Sequence, residues 1–292
     1  MLSRITRISE LLELNGALFI ADIGAALLAE TPVYAPLVLE HPDAHLFSFD
    51  GDPRQIAALK ARYGSKATVL EHYVGDGEAH TAYVCEETSG MTSLFKPSPR
   101  ALSFFNGFED FGRVLRTERV QTARLDSIAA IERIDFLKMD IQGSELSVLQ
   151  HGTQTLRECL AIQLEVSFVG LYEEQPTFGD IDQWMRAHGY LPHSFVDVKR
   201  WSISPVVRNN NFRIPFNQLL EADAVYIKDP LALERYSDVQ LKRQALFADL
   251  FFDSPDLAVY CLRELTARGV LNQTALQHYF ALLNEPRINT AD

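Results

Sequence analysis

The sequence predicts an α/β fold, a doubly wound and mainly parallel sheet with a small helical C-terminal appendage. Short apolar runs alternate with helical patterns through most of the chain, which is the signature of right-handed crossovers and a sheet covered on both faces. Beyond about residue 190 two strand-like runs flank a long polar stretch containing Asn209, Asn210 and Asn211, and from Asp229 onward only helical patterns remain. With 292 residues the chain is long enough for one large domain and an addition, and it can bury a core without disulfides or structural metals. The expected division is a ligand-binding sheet domain over residues 1–229 and a helical appendage over 230–292.

In chain order, Leu18 to Ala21 reads as a buried strand closed by Asp22, followed by a helical stretch from about Ala25 to Leu39 interrupted near Pro32 and Pro36. Leu46 to Phe49 is a second strand ending at Asp50. Pro53 opens a helix through Tyr63, a favourable first-turn use of proline. Ala67 to Leu70 and Thr81 to Cys85 read as strands. Phe136 to Met139 and Ile162 to Val166 are buried strands separated by a helix from about Ser144 to Leu156. Thr177 to His188 is helical, with Gly189 as its stop. Ser194 to Val198 and Ala222 to Ile227 complete the strands, and helices follow at roughly 238–252, 254–268 and 273–284.

Lys and Arg number 27 against 39 Asp and Glu, a net charge of -12. An acidic surface argues against gripping a nucleic-acid backbone, whose affinity comes from basic side chains. No apolar run reaches the ~20 residues that span a bilayer. The first residues mix Arg4, Arg7, Glu10 and Glu13 with apolar ones, unlike a secretory signal. Cys85, Cys159 and Cys261 are odd in number and far apart, which fits reduced thiols in a cytoplasmic protein.

Open α/β sheets bind ligands beyond the carboxyl ends of their strands. The first strand ends Asp22-Ile23-Gly24-Ala25-Ala26, and the second ends Asp50-Gly51-Asp52-Pro53. Asp50 suits a bidentate grip on ribose hydroxyls, which a dinucleotide fold also needs. Asp22 discriminates. A carboxylate beside the first helix N-terminus repels a pyrophosphate, which relies on that dipole end and on close glycine backbone, and the glycine-rich fingerprint is absent. S-adenosylmethionine, with a ribose, an adenine and a cationic head but no phosphate, fits better; the plainer alternative is that Asp22 caps the helix.

A central parallel strand should be continuously apolar, yet Phe136-Leu137-Lys138-Met139-Asp140 and Ile162-Gln163-Leu164-Glu165-Val166 carry polar residues at alternate positions. A side-chain period of two puts Lys138 with Asp140, and Gln163 with Glu165. If the strands are neighbours, all four converge near the carboxyl edge. Burying them is costly unless they pair or meet a ligand, so this is either a site or a structural ion pair of Lys138 with Glu165.

The run from Phe136 to Leu149 resembles the signature of FkbM-type methyltransferases, an apolar strand followed by Lys-x-Asp-x-(Glu/Gln)-Gly-x-Glu and a helix. Thr122 to Ser127, Phe49 to Pro53, Gly75-Asp76-Gly77, Glu165 to Phe168 and Leu171 to Pro176 resemble further segments of that family, over about residues 18–229. The resemblance implies a class I, Rossmann-like methyltransferase using S-adenosylmethionine, usually an O-methyltransferase acting on sugars, glycans or other bacterial metabolites. It implies that Asp22 and Gly24 lie beside the methionine part of the cofactor, that Asp50 holds the ribose, that Asp76 is near the adenine, and that Asp140 stands where cofactor and acceptor meet, with Ala25, Ala26 and Gly51 also expected to bind the cofactor. One departure is that Ala26-Leu27-Leu28 replaces the family's small residue and second glycine, leaving room for a degenerate, non-catalytic cofactor-binding scaffold.

Methyl transfer to an alcohol is an in-line displacement in which alignment matters most, and a sugar hydroxyl needs a base or a metal to remove its proton. Asp140 and Glu165 are the expected proton acceptors, and the same pair could hold Mg²⁺ or a similar hard cation. Thr92, Ser93, Tyr172, Gln175 and His193 are the candidates for contacting a small-molecule or glycan acceptor. The phenylalanines between Met91 and Gly112 suit either acceptor stacking or packing on the sheet. The C-terminal helices suit a lid or a homodimer contact, with Phe247, Leu250, Phe251 and Phe252 expected in a core. A nicotinamide-dependent dehydrogenase is disfavoured by Asp22 and the missing glycines.

Overall fold

The structure is a computed structural model, described over residues 2–25, 31–86 and 89–285. Three strands open the central sheet: β1 (Leu18–Ile23), β2 (Ala44–Phe49) and β3 (Ala67–Leu70). The next three, β4 (Tyr73–Val74), β5 (Ala79–Val84) and β6 (Arg116–Ala123), leave it and form a small sheet in the order β4-β6-β5. The chain then returns through β7 (Phe136–Met139), β8 (Ala161–Ser167), β9 (Tyr190–Val196) and β10 (Glu221–Lys228), giving a seven-stranded order β3-β2-β1-β7-β8-β10-β9. The pairs β2/β3, β1/β7 and β7/β8 are parallel, and β10 is antiparallel to both its neighbours. The expected doubly wound, mainly parallel sheet is therefore present.

The helices are α1 (Arg4–Leu11), α2 (Ala35–Glu40), α3 (Pro53–Tyr63), α4 (Pro99–Phe104), α5 (Phe108–Phe111), α6 (Glu145–Gln150), α7 (Phe178–Ala187), α8 (Asp238–Leu250), α9 (Pro255–Ala267) and α10 (Ala275–Leu283). Helix α3 starts where Asp52 accepts the Arg54 N–H and Pro53 occupies the first turn, a combination that satisfies one end group and needs no donor at the next. Of the helix expected over 25–39, residues 26–30 lie outside the described residues, and the remainder is helical only over α2.

The helix expected to reach Leu156 stops at Gln150. A Cβ on Gly152 would come within 2.8 Å of Leu125, and the Asp126 carboxylate takes the Gln154 and Thr155 N–H groups, so the chain turns under those bonds. Strand β6 was not expected. Most of its side chains are exposed, so no apolar alternation marks it.

The residues cluster into two units, Met1–Leu18 with Leu28–His45 and Asp229–Asp292, and Phe19–Leu27 with Leu46–Lys228. In the first, Asp249 is buried between Arg4 (2.8 Å) and the Tyr279 hydroxyl (2.8 Å), Arg268 donates to the carbonyls of Leu233 and Tyr236, and Phe247, Cys261 and Leu265 are core. In the second, Ile23, Phe49, Met139, Leu164 and Tyr226 pack with Val148 and Leu149 of α6 and Ile181 and Met185 of α7. Phe95, Phe105, Phe108 and Phe111 form a separate cluster with Leu171, Tyr172 and Trp201, while Phe104 is exposed. Phe105 and Phe108 are buried there.

Candidate functional site

The carboxyl ends of β1 and β7 touch at one point. Gly24 adopts φ 82°, and a Cβ there would lie 2.0 Å from the Asp140 carbonyl oxygen. Glycine is thus required twice, for the left-handed backbone and for the close approach. The Gly24 and Ala25 N–H groups both donate to the Phe49 carbonyl at 3.0 Å, tying this turn to the end of β2. Gly51 is constrained by space alone, since a Cβ would sit 2.2 Å from the Tyr73 ring.

The segment after β7 is a compact loop built on its own side chains. Gln142 takes φ 54° and Gly143 φ 106°. Glu145, fully enclosed at the start of α6, reaches back to accept the N–H groups of Ile141 and Gly143, each at 3.0 Å. Burial pushes its carboxyl up to about 7, against the pull of those bonds. The Gln142 amide donates to Asp140 Oδ1 (3.0 Å) and Glu165 Oε1 (3.2 Å), while its Oε1 accepts from the Tyr172 hydroxyl (3.0 Å). Its carbonyl accepts from the Ser93 hydroxyl at 2.6 Å. Gln142 is therefore held on four sides, and it joins the two carboxylates singled out from the sequence.

Those carboxylates end a polar row across one face of the sheet. Parallel register sets Asp22 beside Lys138 and Lys138 beside Gln163. Antiparallel register sets Glu165 beside Asp223, and Gln163 donates to Asp223 at 2.8 Å. The expected convergence of Lys138, Asp140, Gln163 and Glu165 holds, and Asp22 and Asp223 extend it. Burial alone would drive the Lys138 ammonium down, but the fields of Asp22, Asp140, Asp223 and Glu165 outweigh it and raise it above the ordinary lysine value. Glu165 is pushed well above the carboxylate range, by burial first and then by Glu221, Asp140 and Glu145.

Beyond this edge lies an open cleft lined by Gly24, Asp50, Gly51, His72, Tyr73, Thr92, Ser93, Glu118, Asp140 and Gln142, with Ile23, Phe49, Val74, Ala82, Val84, Leu94 and Ile141 supplying apolar surface. Three carboxylates (Asp50, Glu118, Asp140) line it, and no Lys or Arg does among the described residues. Burial holds Asp50 above the usual carboxylate range. Such a cleft repels phosphate and favours a cation. Glycine cradles, a ribose-height carboxylate and the acidic lining fit S-adenosylmethionine.

The structure sorts the expected site residues. Gly24, Asp50, Gly51, Thr92, Ser93 and Asp140 line the cleft together. Asp22 is buried one step inside β1 and is not among the lining residues, so the charge argument against pyrophosphate passes to Asp50, Glu118 and Asp140. Ala25 lies beside Gly24, buried, and Ala26 lies outside the described residues, as does the departure at Leu27-Leu28. Asp76 is taken up by its own turn, accepting from the Glu78 N–H, His80 and the Thr122 hydroxyl, and is held at about 2 chiefly by those bonds against burial. Glu165 and Tyr172 reach the cleft through Gln142. Gln175 braces the following loop, accepting from the Leu171 N–H and donating to Ser167. His193 sits on β9, at the far edge of the sheet. Among the described residues no group of three or more His, Cys, Asp or Glu converges as a metal site. Tyr73, Glu118, Gln142 and Glu145 were not assigned from the sequence. The Gln142-Gly143 pair at a strand end and a Glu two residues after the glycine were the available signals for two of them.

A central sheet with one reversed strand, bearing a glycine cradle and an acidic cleft at its carboxyl edge, is the architecture of the class I methyltransferase fold. The chain matches the methyltransferase FkbM domain over residues 23–192 and belongs to that family. It is 29% identical over 145 residues to the 2-O-methyltransferase NoeI of Sinorhizobium fredii, an alignment covering 46% of this chain and 58% of that protein. Among solved structures it is similar to magnesium protoporphyrin IX methyltransferase from Synechocystis with bound S-adenosylmethionine (11% identity, 76% and 77% of the two chains, TM-score 0.36). A second is the fibrillarin pre-rRNA processing protein of Methanococcus jannaschii (11%, 73% and 67%, TM-score 0.37).

Proposed function

We propose that the protein transfers a methyl group from S-adenosylmethionine to a hydroxyl of a sugar, glycan or other small metabolite. The supporting observation is the acidic cleft at the ends of β1, β2 and β7, with Asp140 on its wall. The relative named as a 2-O-methyltransferase supports a hydroxyl acceptor.

In this proposal Gly24 gives the methionine portion close backbone approach, and Asp50, whose Oδ1 accepts the Asp52 N–H at 2.7 Å, binds the ribose with its second oxygen. When bound, S-adenosylmethionine supplies an electrophilic methyl group on a sulfonium. Asp140 accepts the acceptor hydroxyl's proton. Glu165 and Tyr172 are positioning residues, since both act on the cleft through Gln142. Thr92 is the preferred acceptor contact, because its hydroxyl accepts the Cys85 N–H and keeps its own proton to donate, whereas the Ser93 hydroxyl already donates to Gln142 and accepts the Phe95 N–H.

Asp140→Asn keeps the shape and removes the base. It should lower kcat about 100-fold or more, the range general bases supply, with the affinity for S-adenosylmethionine changed less than threefold. Undiminished turnover with a sugar acceptor would overturn Asp140 as proton acceptor. Retention of activity in excess chelator would remove the Mg²⁺ variant of the same step.

A further inference from the structure

We propose that the segment 198–220, between β9 and β10, docks on the surface of an anionic lipid bilayer. In a chain with 27 basic against 39 acidic residues, this stretch carries Lys199, Arg200, Arg208 and Arg213 and no Asp or Glu. Lys199 is committed to Glu221 at 2.8 Å, whereas Arg200, Arg208 and Arg213 join no ion pair among the described residues.

The same stretch exposes aliphatic and aromatic side chains: Val206 58%, Val207 44%, Ile203 41% and Phe216 38% accessible. These are not the frayed end of a loop. Beneath them the Asn106 amide donates to the Val206 carbonyl (2.7 Å) and the Ser202 hydroxyl (2.9 Å). The Trp201 indole donates to the Asn106 carbonyl (2.8 Å), and Ser202 donates to the Phe212 carbonyl (2.9 Å). Phe105, Phe108 and Trp201 supply the apolar packing under the frame. The buried set satisfies the segment internally and leaves the second apolar set facing out. The Ser204 N–H bonds to the Phe104 carbonyl, and the Arg208 guanidinium lies 4.3 Å over the Phe216 ring, so a cation sits directly on one of the exposed apolar side chains of the segment.

Apolar side chains at headgroup depth with flanking arginines are the composition that binds anionic bilayers. Nucleic acid is the poorer occupant, because Ile203, Val206 and Val207 offer no face on which a base can stack and the Phe216 ring is already covered by Arg208. Two-fold contact with a second copy would set these arginines against themselves with no acid to answer them. Strand β9 runs parallel to β8, since both are antiparallel to β10, so the segment leaves the sheet at the edge that carries Asp50 and Asp140.

Co-sedimentation of the full chain with vesicles of phosphatidylcholine mixed with phosphatidylglycerol, against pure phosphatidylcholine, tests this. The protein should partition onto the mixed vesicles and be released by salt, as surface attraction is screened. Arg208→Gln with Arg213→Gln should weaken partition about fivefold per arginine. Val206→Asp with Val207→Asp should abolish it, and both variants should bind S-adenosylmethionine as the parent does. Equal partition onto both vesicle types, no partition at all, or parental partition by both double variants would overturn the proposal. So would self-association that the Val206/Val207 variant removes.

Discussion

Gly24 has no room for a side chain. Its left-handed backbone costs an L-residue roughly 1–2 kcal/mol, and a Cβ would collide with the Asp140 carbonyl at 2.0 Å. Gly24→Ala must therefore pry β1 from β7 at the cleft. We expect it to lower stability by about 2 kcal/mol or more in urea unfolding and to remove S-adenosylmethionine binding in the fraction that folds. A variant with parental stability and affinity would show that the two strand ends are not in contact. Gln142 makes the opposite point, because it contributes by what its side chain holds. Its amide stands between Asp140 and Glu165, so those acids are joined by a hydrogen-bond donor.

At the scale of elements, the loop entering α6 depends on the charge state of Glu145. Its carboxyl is raised by burial from 4.5 to about 7. The folded state therefore binds this proton more tightly than the unfolded state. The associated stabilisation is complete below the unfolded value near 4.5 and is lost as pH rises through about 7, an effect of roughly 3 kcal/mol at 1.36 kcal/mol per unit. Unfolding of the parent and Glu145→Gln across pH 4.5 to 8 checks this, with the parent losing ground to the variant as pH rises. A pH-independent difference would contradict it.

The polar row gives a second test at this scale. Lys138→Met leaves Asp22, Glu165 and Asp223 without their shared cation, and removing one partner of a buried charge set costs about 3–5 kcal/mol. Lys138→Arg should recover part of it. Loss below about 1 kcal/mol in Lys138→Met would mean the row is held by other means than this lysine.

The row was legible in the sequence because period-two alternation and parallel pairing are rigid geometric rules, and Lys138 and Gln163 met as those rules require. Helix α3 was legible because Asp52 and Pro53 mark its start by local chemistry. The early end of α6 was not, because the Asp126 side chain that takes over the backbone comes from 28 residues upstream. Strand β6 was hidden by its exposed faces. Tyr73 and Glu118 of the cleft come from the small sheet, whose position no local pattern encodes. Asp22 was selected for its place at a strand end, but the strand continues one residue further, to Ile23, and so buries it.

At the scale of the whole molecule, a net charge of -12 has a local counterpart in the cleft. The cleft carries Asp50, Glu118 and Asp140 with no lining Lys or Arg among the described residues, so under the proposed function it discriminates against phosphate-bearing cofactors by charge. Isothermal titration calorimetry of the parent and Asp50→Ala with S-adenosylmethionine and with NAD tests this most directly. S-adenosylmethionine should bind the parent saturably and NAD should not. Asp50→Ala should weaken S-adenosylmethionine at least tenfold, as loss of a hydrogen bond to a charged group worth about 1.5–3 kcal/mol requires. Binding of NAD in preference to S-adenosylmethionine, or parental affinity in Asp50→Ala, would contradict the assignment of this acidic edge as a methyl-donor site.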